Sequence, residues 1–171
     1  MVTGTNEAVG RAASNSDAAR RAPGGIVMEL TQHTDYGLRV LMYAAVHDER
    51  RVTMREIATA YGISMEHLRK VVHRLSRRGF LLTSKGRSGG LELADRADAI
   101  RIGDVVGALE DSLSIMDCER QPCVLAGACA LKCALESARQ AFMAQLSSYT
   151  LADIIGDRAT AARLTTLAPC S

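Results

Sequence analysis

Residues 53–77 read TMREIATAYGISMEHLRKVVHRLSR, and this stretch predicts two short helices around a tight turn. Thr53 and Glu56 form a capping box, in which each side chain accepts a hydrogen bond from a backbone amide at the start of the first helix. Gly62 supplies the positive φ of the turn, and Ser64 caps the second helix. Two short helices around a glycine turn are typical of a helix-turn-helix.

The second helix, predicted from Met65 to about Arg77, is amphipathic. One face carries apolar residues at helical spacing, namely Leu68, Val71, Val72 and Leu75. The opposite face is polar and basic, as in a recognition helix that enters the major groove. We therefore expect this helix to face DNA with Ser64, Met65, Glu66, Arg69, Lys70 and His73. Lys70 and Arg74 are the candidates for contacts to phosphate alone.

Two apolar runs flank a glycine-rich turn after this helix. Residues 79–83 and 91–94 predict two strands, and the turn between them carries Lys85 and Arg87. The pattern predicts a β-hairpin wing, and the guanidinium of Arg87 suits the negative potential of a narrow minor groove. The turn could instead hold a ligand phosphate, but it lacks the strand-to-helix context that phosphate loops need.

The basic residues are concentrated in this part of the chain. Residues 50–90 contain ten Arg or Lys side chains against two acids, a local balance of +8, whereas the net charge of the 171-residue chain is +2. Neutralising phosphates releases counterions, so a concentrated positive field favours nucleic acid as a partner. Coincidence with the helix-turn-helix pattern argues against a merely solvated basic face.

The flanking sequence divides into further segments. Residues 1–27 lack periodicity and predict a disordered N-terminal extension, with Met28 as a candidate start codon. We assign residues 28–110 to the DNA-binding domain, whose first helix is predicted to start near Thr34-Asp35. An apolar stripe predicts a long helix over residues 131–155, which packs on its own domain or pairs with a second subunit. Residues 156–171 are a predicted tail.

Three cysteines, Cys118, Cys123 and Cys129, fall in a predicted cluster-binding loop over residues 111–130. Their spacing fits zinc knuckles poorly, whereas iron–sulfur clusters accept thiolates at varied spacing and normally take four ligands. Cys133, one helical turn after Cys129, is one candidate for the fourth ligand, and a carboxylate from elsewhere is another. Inert buried thiols and a metal-free thiol switch are the alternatives.

Other classes of protein find little support in the sequence. It has no apolar stretch long enough to cross a membrane and no pattern of a secretory signal, which predicts a cytoplasmic protein. There is no nucleophile–base pair or nucleotide loop, and the four His residues are scattered, so we do not expect an enzyme. The expected architecture is mainly α: a winged helix-turn-helix domain with a small β-hairpin wing and a long C-terminal dimerisation helix.

Residues 61–75, YGISMEHLRKVVHRL, resemble the helix-turn-helix of the NsrR group of nitric-oxide-sensing repressors, within the Rrf-type winged-helix family. That family also contains IscR-like iron–sulfur regulators. Further stretches match as well: LTQHTDYGLR at 30–39, GRSGG at 86–90, CALKCAL at 129–135 and YTLAD at 149–153. The resemblance runs from about residue 28 to residue 154, nearly all of the chain expected to be ordered.

The resemblance implies a homodimer with one iron–sulfur cluster per subunit, expected to be [4Fe-4S] with [2Fe-2S] as the alternative. Its ligands would be Cys118, Cys123, Cys129 and an aspartate from the first helix of the other subunit, the position of Asp35. Cys133 departs from the family pattern and competes with Asp35.

The function that this resemblance implies is a repressor of a palindromic operator, released when nitric oxide nitrosylates the cluster. Two rival functions are a regulator of the same family that senses iron supply or oxidative stress, as IscR-like proteins do, and a small electron-transfer protein. In the electron-transfer protein the basic module would be incidental.

Overall fold

The computed structural model describes residues 29–86, 89–116, 123–125 and 127–167. Within these ranges the chain is mainly helical with one small antiparallel sheet, which confirms the predicted fold class. The helices are α1 (Gln32–Val46), α2 (Met54–Tyr61), α3 (Met65–Arg77), α4 (Ile102–Leu109), α5 (Ala130–Ser147), α6 (Leu151–Gly156) and α7 (Arg158–Thr166). The strands are β1 (Leu81–Ser84) and β2 (Gly90–Leu93). The predicted N-terminal extension, residues 1–27, lies outside the described residues.

Helix α1 is the central element of the core. It packs against α3, α4 and α6, and its largest buried side chain is Tyr43. The helix begins at Gln32, before the predicted start, because Thr31 is the N-cap and its hydroxyl accepts a hydrogen bond from the Thr34 amide at 3.3 Å. None of the helices in the described ranges combines the length and apolar content that a membrane crossing requires.

The helix-turn-helix formed by α2 and α3 has the predicted caps. The Glu56 amide donates to the Thr53 hydroxyl at 3.2 Å, and the Thr53 amide donates to the Glu56 carboxylate at 3.3 Å. Gly62 ends α2 with a φ of 64°, and the Ser64 hydroxyl accepts from the His67 amide at 3.3 Å. All four predicted apolar positions of α3 are buried.

The wing is a two-stranded hairpin anchored to the domain. β1 and β2 pair antiparallel, with Leu81 opposite Leu93. Val52, just before α2, extends the pairing: its amide donates to the Leu91 carbonyl at 2.9 Å, and the Leu91 amide donates back at 2.7 Å. Leu81, Leu91 and Val52 are buried, so the base of the wing belongs to the core, whereas Lys85 and Gly86 after β1 are exposed.

The C-terminal segment departs from the single helix predicted over residues 131–155. Helix α5 ends at Ser147 and α6 begins at Leu151, because Thr150 and Asp153 form a second capping box that starts a new helix. The turn between them is fixed to the start of α4, where the Leu151 amide donates to the Ile100 carbonyl at 2.8 Å. The chain therefore folds back onto the DNA-binding domain.

The predicted tail, residues 156–171, contains helix α7. Asp157 caps it by accepting a hydrogen bond from the Thr160 amide at 2.9 Å, and Leu164 is buried. Helix α7 contacts α1 and α6. A prediction based on the preceding stripe missed it because the helix is short and its one buried side chain is not part of a repeating pattern.

Helix α5 lies on α4 but has no buried residue. Met143 and Leu146, in its C-terminal half, pack partly against the core. Leu131, at the other end, is 57% exposed. The apolar stripe predicted for this helix is therefore covered only in part by its own chain.

Candidate DNA interface and cysteine site

The predicted DNA-facing residues of α3 lie on its outer face. Ser64, Glu66, Arg69, Lys70 and His73 are exposed, and Met65 is half-buried. This follows from the buried stripe of α3, which fixes the rotation of the helix about its axis. The face is therefore free to enter a groove of about the width of a helix, which is the major groove of B-DNA.

One ion pair lies on this face. The Lys70 ammonium donates to the Glu66 carboxylate at 3.1 Å, and both side chains are well exposed. This hydrogen bond, more than the Coulomb attraction that accompanies it, lowers the pKa of Glu66 below its ordinary value. Glu66 thus stays ionised and offsets the charge of Lys70, so the net positive charge of the face comes mainly from Arg69.

A groove of about 430 Å³ separates α3 from the wing. It brings together three of the predicted DNA-contacting residues, Arg69 and His73 from α3 and Lys85 from the wing. Arg87, the predicted minor-groove residue, lies outside the described residues. A recognition helix and a wing with basic residues on the same groove form one continuous surface for a polyanion.

Arg74, a candidate for a phosphate contact, has two partners outside its own helix. Its Nε donates to the Ala108 carbonyl at 3.2 Å, and its guanidinium lies 2.8 Å from the Asp111 carboxylate. Both partners are non-local in sequence, so the charge pattern alone could not reveal them. Sequence reasoning also missed Arg77 and Arg78, which are exposed further along the same edge and line a second groove with Lys70 and His73.

Three of the cysteines are described, and all three are free thiols. Cys123 and Cys133 are exposed and Cys129 is half-buried, whereas Cys118 lies outside the described residues. Cys129 is the N-cap of α5, and its Sγ accepts a hydrogen bond from the Lys132 amide at 3.4 Å. The Cys133 amide donates to the Cys129 carbonyl at 3.3 Å, so Cys133 follows one helical turn later, as predicted.

The position of Cys129 fits a sulfur ligand to a metal cluster. The N-terminus of a helix has backbone N–H groups without partners inside the helix, and these can donate hydrogen bonds to a sulfur ligand. A backbone amide that donates to the sulfur is one of the contacts by which proteins tune iron–sulfur clusters. Within the described part of the chain no three His, Cys, Asp or Glu side chains converge on a common point, and Cys118 is not in that part.

Several exposed apolar side chains lie close in sequence to the cysteines. The most exposed is Val124, with no part covered, and the others are Ile115, Met116, Leu125 and Leu131. Several large apolar side chains that are exposed near one another in sequence are candidates for burial by association with another molecule. Association would also limit the access of water to the cysteines.

Asp35 occupies the first turn of α1. Its carboxylate accepts a hydrogen bond from Arg39 Nε at 3.0 Å, the i,i+4 pair expected from the sequence, and each side chain is a little under half exposed. The Arg39 guanidinium also lies 5.8 Å from the ring centroid of Tyr61, the last residue of α2. Burial raises the pKa of Tyr61 to about 12, so this ring stays neutral.

Comparison with known proteins places this architecture in a family. Residues 30–157 match the family model of Rrf2, described as an iron-dependent transcriptional regulator. Among solved structures, CymR (YrzC), the global cysteine regulator of B. subtilis, is 27% identical with a TM-score of 0.64, and the match covers 76% of this chain and 98% of that one.

Two further structures are similar. IscR of T. potens is 26% identical with a TM-score of 0.63, over 76% of this chain and 88% of that one. The oxidized form of Staphylococcus aureus CymR is 24% identical with a TM-score of 0.60, over 74% of this chain and 94% of that one. At this identity the similarity supports the fold alone. The family match covers most of the chain and the fold agrees with it. This protein belongs to the Rrf2 family of transcriptional regulators.

Proposed function

We propose that this protein is a dimeric winged-helix repressor of the NsrR type, which holds an iron–sulfur cluster and leaves its operator when nitric oxide nitrosylates that cluster. The observation that carries the proposal is the position of Cys129. Its sulfur caps the N-terminus of an exposed helix and accepts a backbone hydrogen bond, in a chain whose recognition helix is free to bind DNA.

DNA binding follows from the groove between α3 and the wing. Arg69 and His73 would contact base edges or phosphates in the major groove, and Lys85 would contact the neighbouring backbone. Arg87 would enter the flanking minor groove. In a two-fold dimer these surfaces would meet successive grooves, and the operator would then be palindromic.

The dimer follows from helix α5. Regulators of this family bind DNA and are dimeric, and the N-terminal half of α5 leaves Leu131 exposed in a single chain. A second copy that packs along α5 would bury this apolar stripe, and homodimer interfaces are more apolar than the rest of a protein surface. The same contact would cover the apolar residues around the cysteines.

Cys118, Cys123 and Cys129 would hold the cluster, expected to be [4Fe-4S] with [2Fe-2S] as the alternative. Asp35 of the partner subunit would complete the ligand set, with Cys133 as the competing fourth ligand. When bound, the cluster supplies iron that reacts with nitric oxide. An oxygen ligand such as Asp35 would leave one iron easier to reach than a fourth thiolate would.

Asp35 would connect the cysteine site to the recognition helix. It lies at the start of α1, and α1 packs directly on α3. In the present structure Asp35 accepts a hydrogen bond from Arg39. The carboxylate therefore has a local partner when it is not a ligand, and exchange between the two partners would be a two-state change that a signal could bias.

A second candidate function keeps the architecture and changes the signal. The similarity to IscR of T. potens favours a cluster that responds to iron supply or oxidative stress. An electron-transfer protein fits less well, because the exposed basic face of α3 would then have no role. A titration with each signal in turn, with operator binding as the readout, distinguishes the first two functions.

Replacing Arg69 with glutamine is expected to weaken operator binding about tenfold or more, since one direct contact to a base or phosphate is worth ~1–3 kcal/mol. The matched control is Arg158→Gln, which removes the same charge from an exposed position at the start of α7. The measurement is fluorescence anisotropy with a DNA fragment selected from random sequence by the anaerobically purified protein. Equal loss of affinity in both variants would contradict the proposed interface.

A further inference from the structure

Residues 108–111, which we call the junction, connect helix α4 to the segment that carries the cysteines. Glu110 extends from the junction to the start of α1. Its carboxylate accepts hydrogen bonds from the Thr31 amide at 2.8 Å and from the Thr31 hydroxyl at 3.1 Å. Thr31 is the N-cap of α1, so the junction holds the end of the helix on which Asp35 lies.

The same junction also contacts the recognition helix. Arg74 of α3 donates to the Ala108 carbonyl at 3.2 Å and pairs with the Asp111 carboxylate at 2.8 Å. Arg74 is 27% exposed and Asp111 is 91% exposed. Ala108 lies in the last turn of α4, where a cation is favourably placed next to the C-terminal carbonyls.

We propose that the junction couples the cysteine segment to the DNA-binding surface, with Glu110 holding α1 and Asp111 holding α3 through Arg74. The inference rests on the proposed function, because it assumes that the state of the cysteine segment changes operator binding. Arg74 is then a positioning residue of the recognition helix, and it acts through Asp111.

The energetics suit a coupling element. Hydrogen bonds in which at least one partner is charged depend strongly on distance and angle, so a small shift of the junction would change the contacts of Glu110 and Asp111 at once. The exposure of Asp111 keeps its ion pair weak enough to be broken by such a shift. The junction is also close in sequence to the cysteines, since residue 111 and Cys118 are seven positions apart.

The test is the substitution Asp111→Asn in the full chain. We measure operator dissociation constants for the cluster-loaded protein and for the same protein after the cluster is removed with a chelator. The ratio is the dissociation constant of the cluster-free protein divided by that of the cluster-loaded protein. It is expected to fall about fivefold, the effect of one charge-assisted hydrogen bond on a partly exposed surface. A purely electrostatic effect would tighten both forms equally, because the variant loses a negative charge near DNA, and would leave the ratio unchanged.

Three further variants complete the comparison. Arg74→Gln and the double variant with Asp111→Asn are expected to lower the ratio by the same factor as Asp111→Asn alone, because the two residues act through one contact. Arg77→Gln removes an equal charge from an exposed position on the same helix. It is expected to weaken both forms and to preserve the ratio. The proposal would be overturned if the effects of Arg74→Gln and Asp111→Asn on the ratio added in the double variant. A lowered ratio in Arg77→Gln would also overturn it.

Amide hydrogen exchange on the cluster-free protein tests, without any DNA, whether the junction connects α3 and α1. Asp111→Asn is expected to speed exchange in the last turn of α3 and at the start of α1, and to leave the wing unchanged. If the wild-type ratio is already one, the proposed function fails, and exchange alone decides whether the junction connects these helices. Unchanged exchange in α3 and α1 would overturn the inference even when the wild-type ratio is large.

Discussion

Replacing Cys129 with serine is expected to abolish cluster binding while leaving the fold intact. Serine is among the preferred N-cap residues, so its hydroxyl can accept the Lys132 amide hydrogen bond that Cys129 Sγ accepts now. The cap is kept and only the thiolate is lost. The free energy of unfolding of the cluster-free protein should therefore change by less than ~0.5 kcal/mol. Operator affinity of the anaerobically purified variant should fall by about 5–150-fold, the usual range of coupling between two sites.

This prediction is tested by measuring the iron content, the acid-labile sulfide content and the visible absorbance of the cluster. Cys133→Ser is the matched control, one helical turn away on the same helix and also free. It should retain the cluster when Asp35 is the fourth ligand. Asp35→Ala should then make the cluster more labile, with faster loss of absorbance in air.

The three variants separate the rival ligand sets. Loss of the cluster in Cys133→Ser, with a wild-type cluster in Asp35→Ala, would assign the fourth ligand to Cys133. Retention of a full cluster in Cys129→Ser would contradict the proposed site itself. Thermal unfolding of each cluster-free variant shows whether any loss has its origin in the fold.

Replacing Gly103 with alanine should displace α5 from α4. A Cβ atom at this position would overlap Ser147 Oγ and would lie 2.9 Å from the Ser147 nitrogen and 3.0 Å from its Cα. The hydroxyl can rotate away, but the two backbone atoms cannot move without shifting α5. We expect a loss of ~2 kcal/mol in the free energy of unfolding, typical of an overpacked contact. Cluster retention should fall as well, because α5 carries Cys129 at its N-terminus.

Gly107→Ala is the matched control, one turn further along α4 and also facing α5. Among the described residues, a Cβ there would meet only the Met143 methyl at 3.7 Å, an ordinary contact. Alanine favours a helix over glycine by up to ~1 kcal/mol, so this variant should be more stable than the wild type. Urea unfolding of the cluster-free proteins measures both. Similar stability changes in the two variants would contradict the close approach of the helices at Gly103.

The helix-turn-helix could be predicted from sequence because its determinants are local. The Thr53–Glu56 capping box, the positive φ of Gly62 and the Ser64 cap each act within four residues. The four apolar positions of α3 then fix which face is exposed. For this reason the amphipathic pattern of α3 is enough to predict which of its side chains point away from the core.

The elements that sequence reasoning missed depend on distant contacts. The early start of α1 is stabilised by Glu110, which is 79 residues from Thr31. Arg74 was a candidate for a phosphate contact because its own helix is basic, and its pairing with Asp111 and Ala108 had no local signal. The break between α5 and α6 had a local signal in Thr150 and Asp153, but a continuous apolar stripe concealed it. The role of Cys129 as a helix cap depends on where α5 begins, and the apolar stripe does not define that boundary.

In the proposed function, the cysteine site controls operator binding in response to nitric oxide. The most direct test of this function is a titration of the anaerobically purified protein with nitric oxide, in which cluster absorbance and the anisotropy of a labelled operator are followed in the same sample. The two signals are predicted to change together, with DNA released as the cluster absorbance is lost. Loss of the cluster absorbance while the operator stays bound would contradict the proposed function.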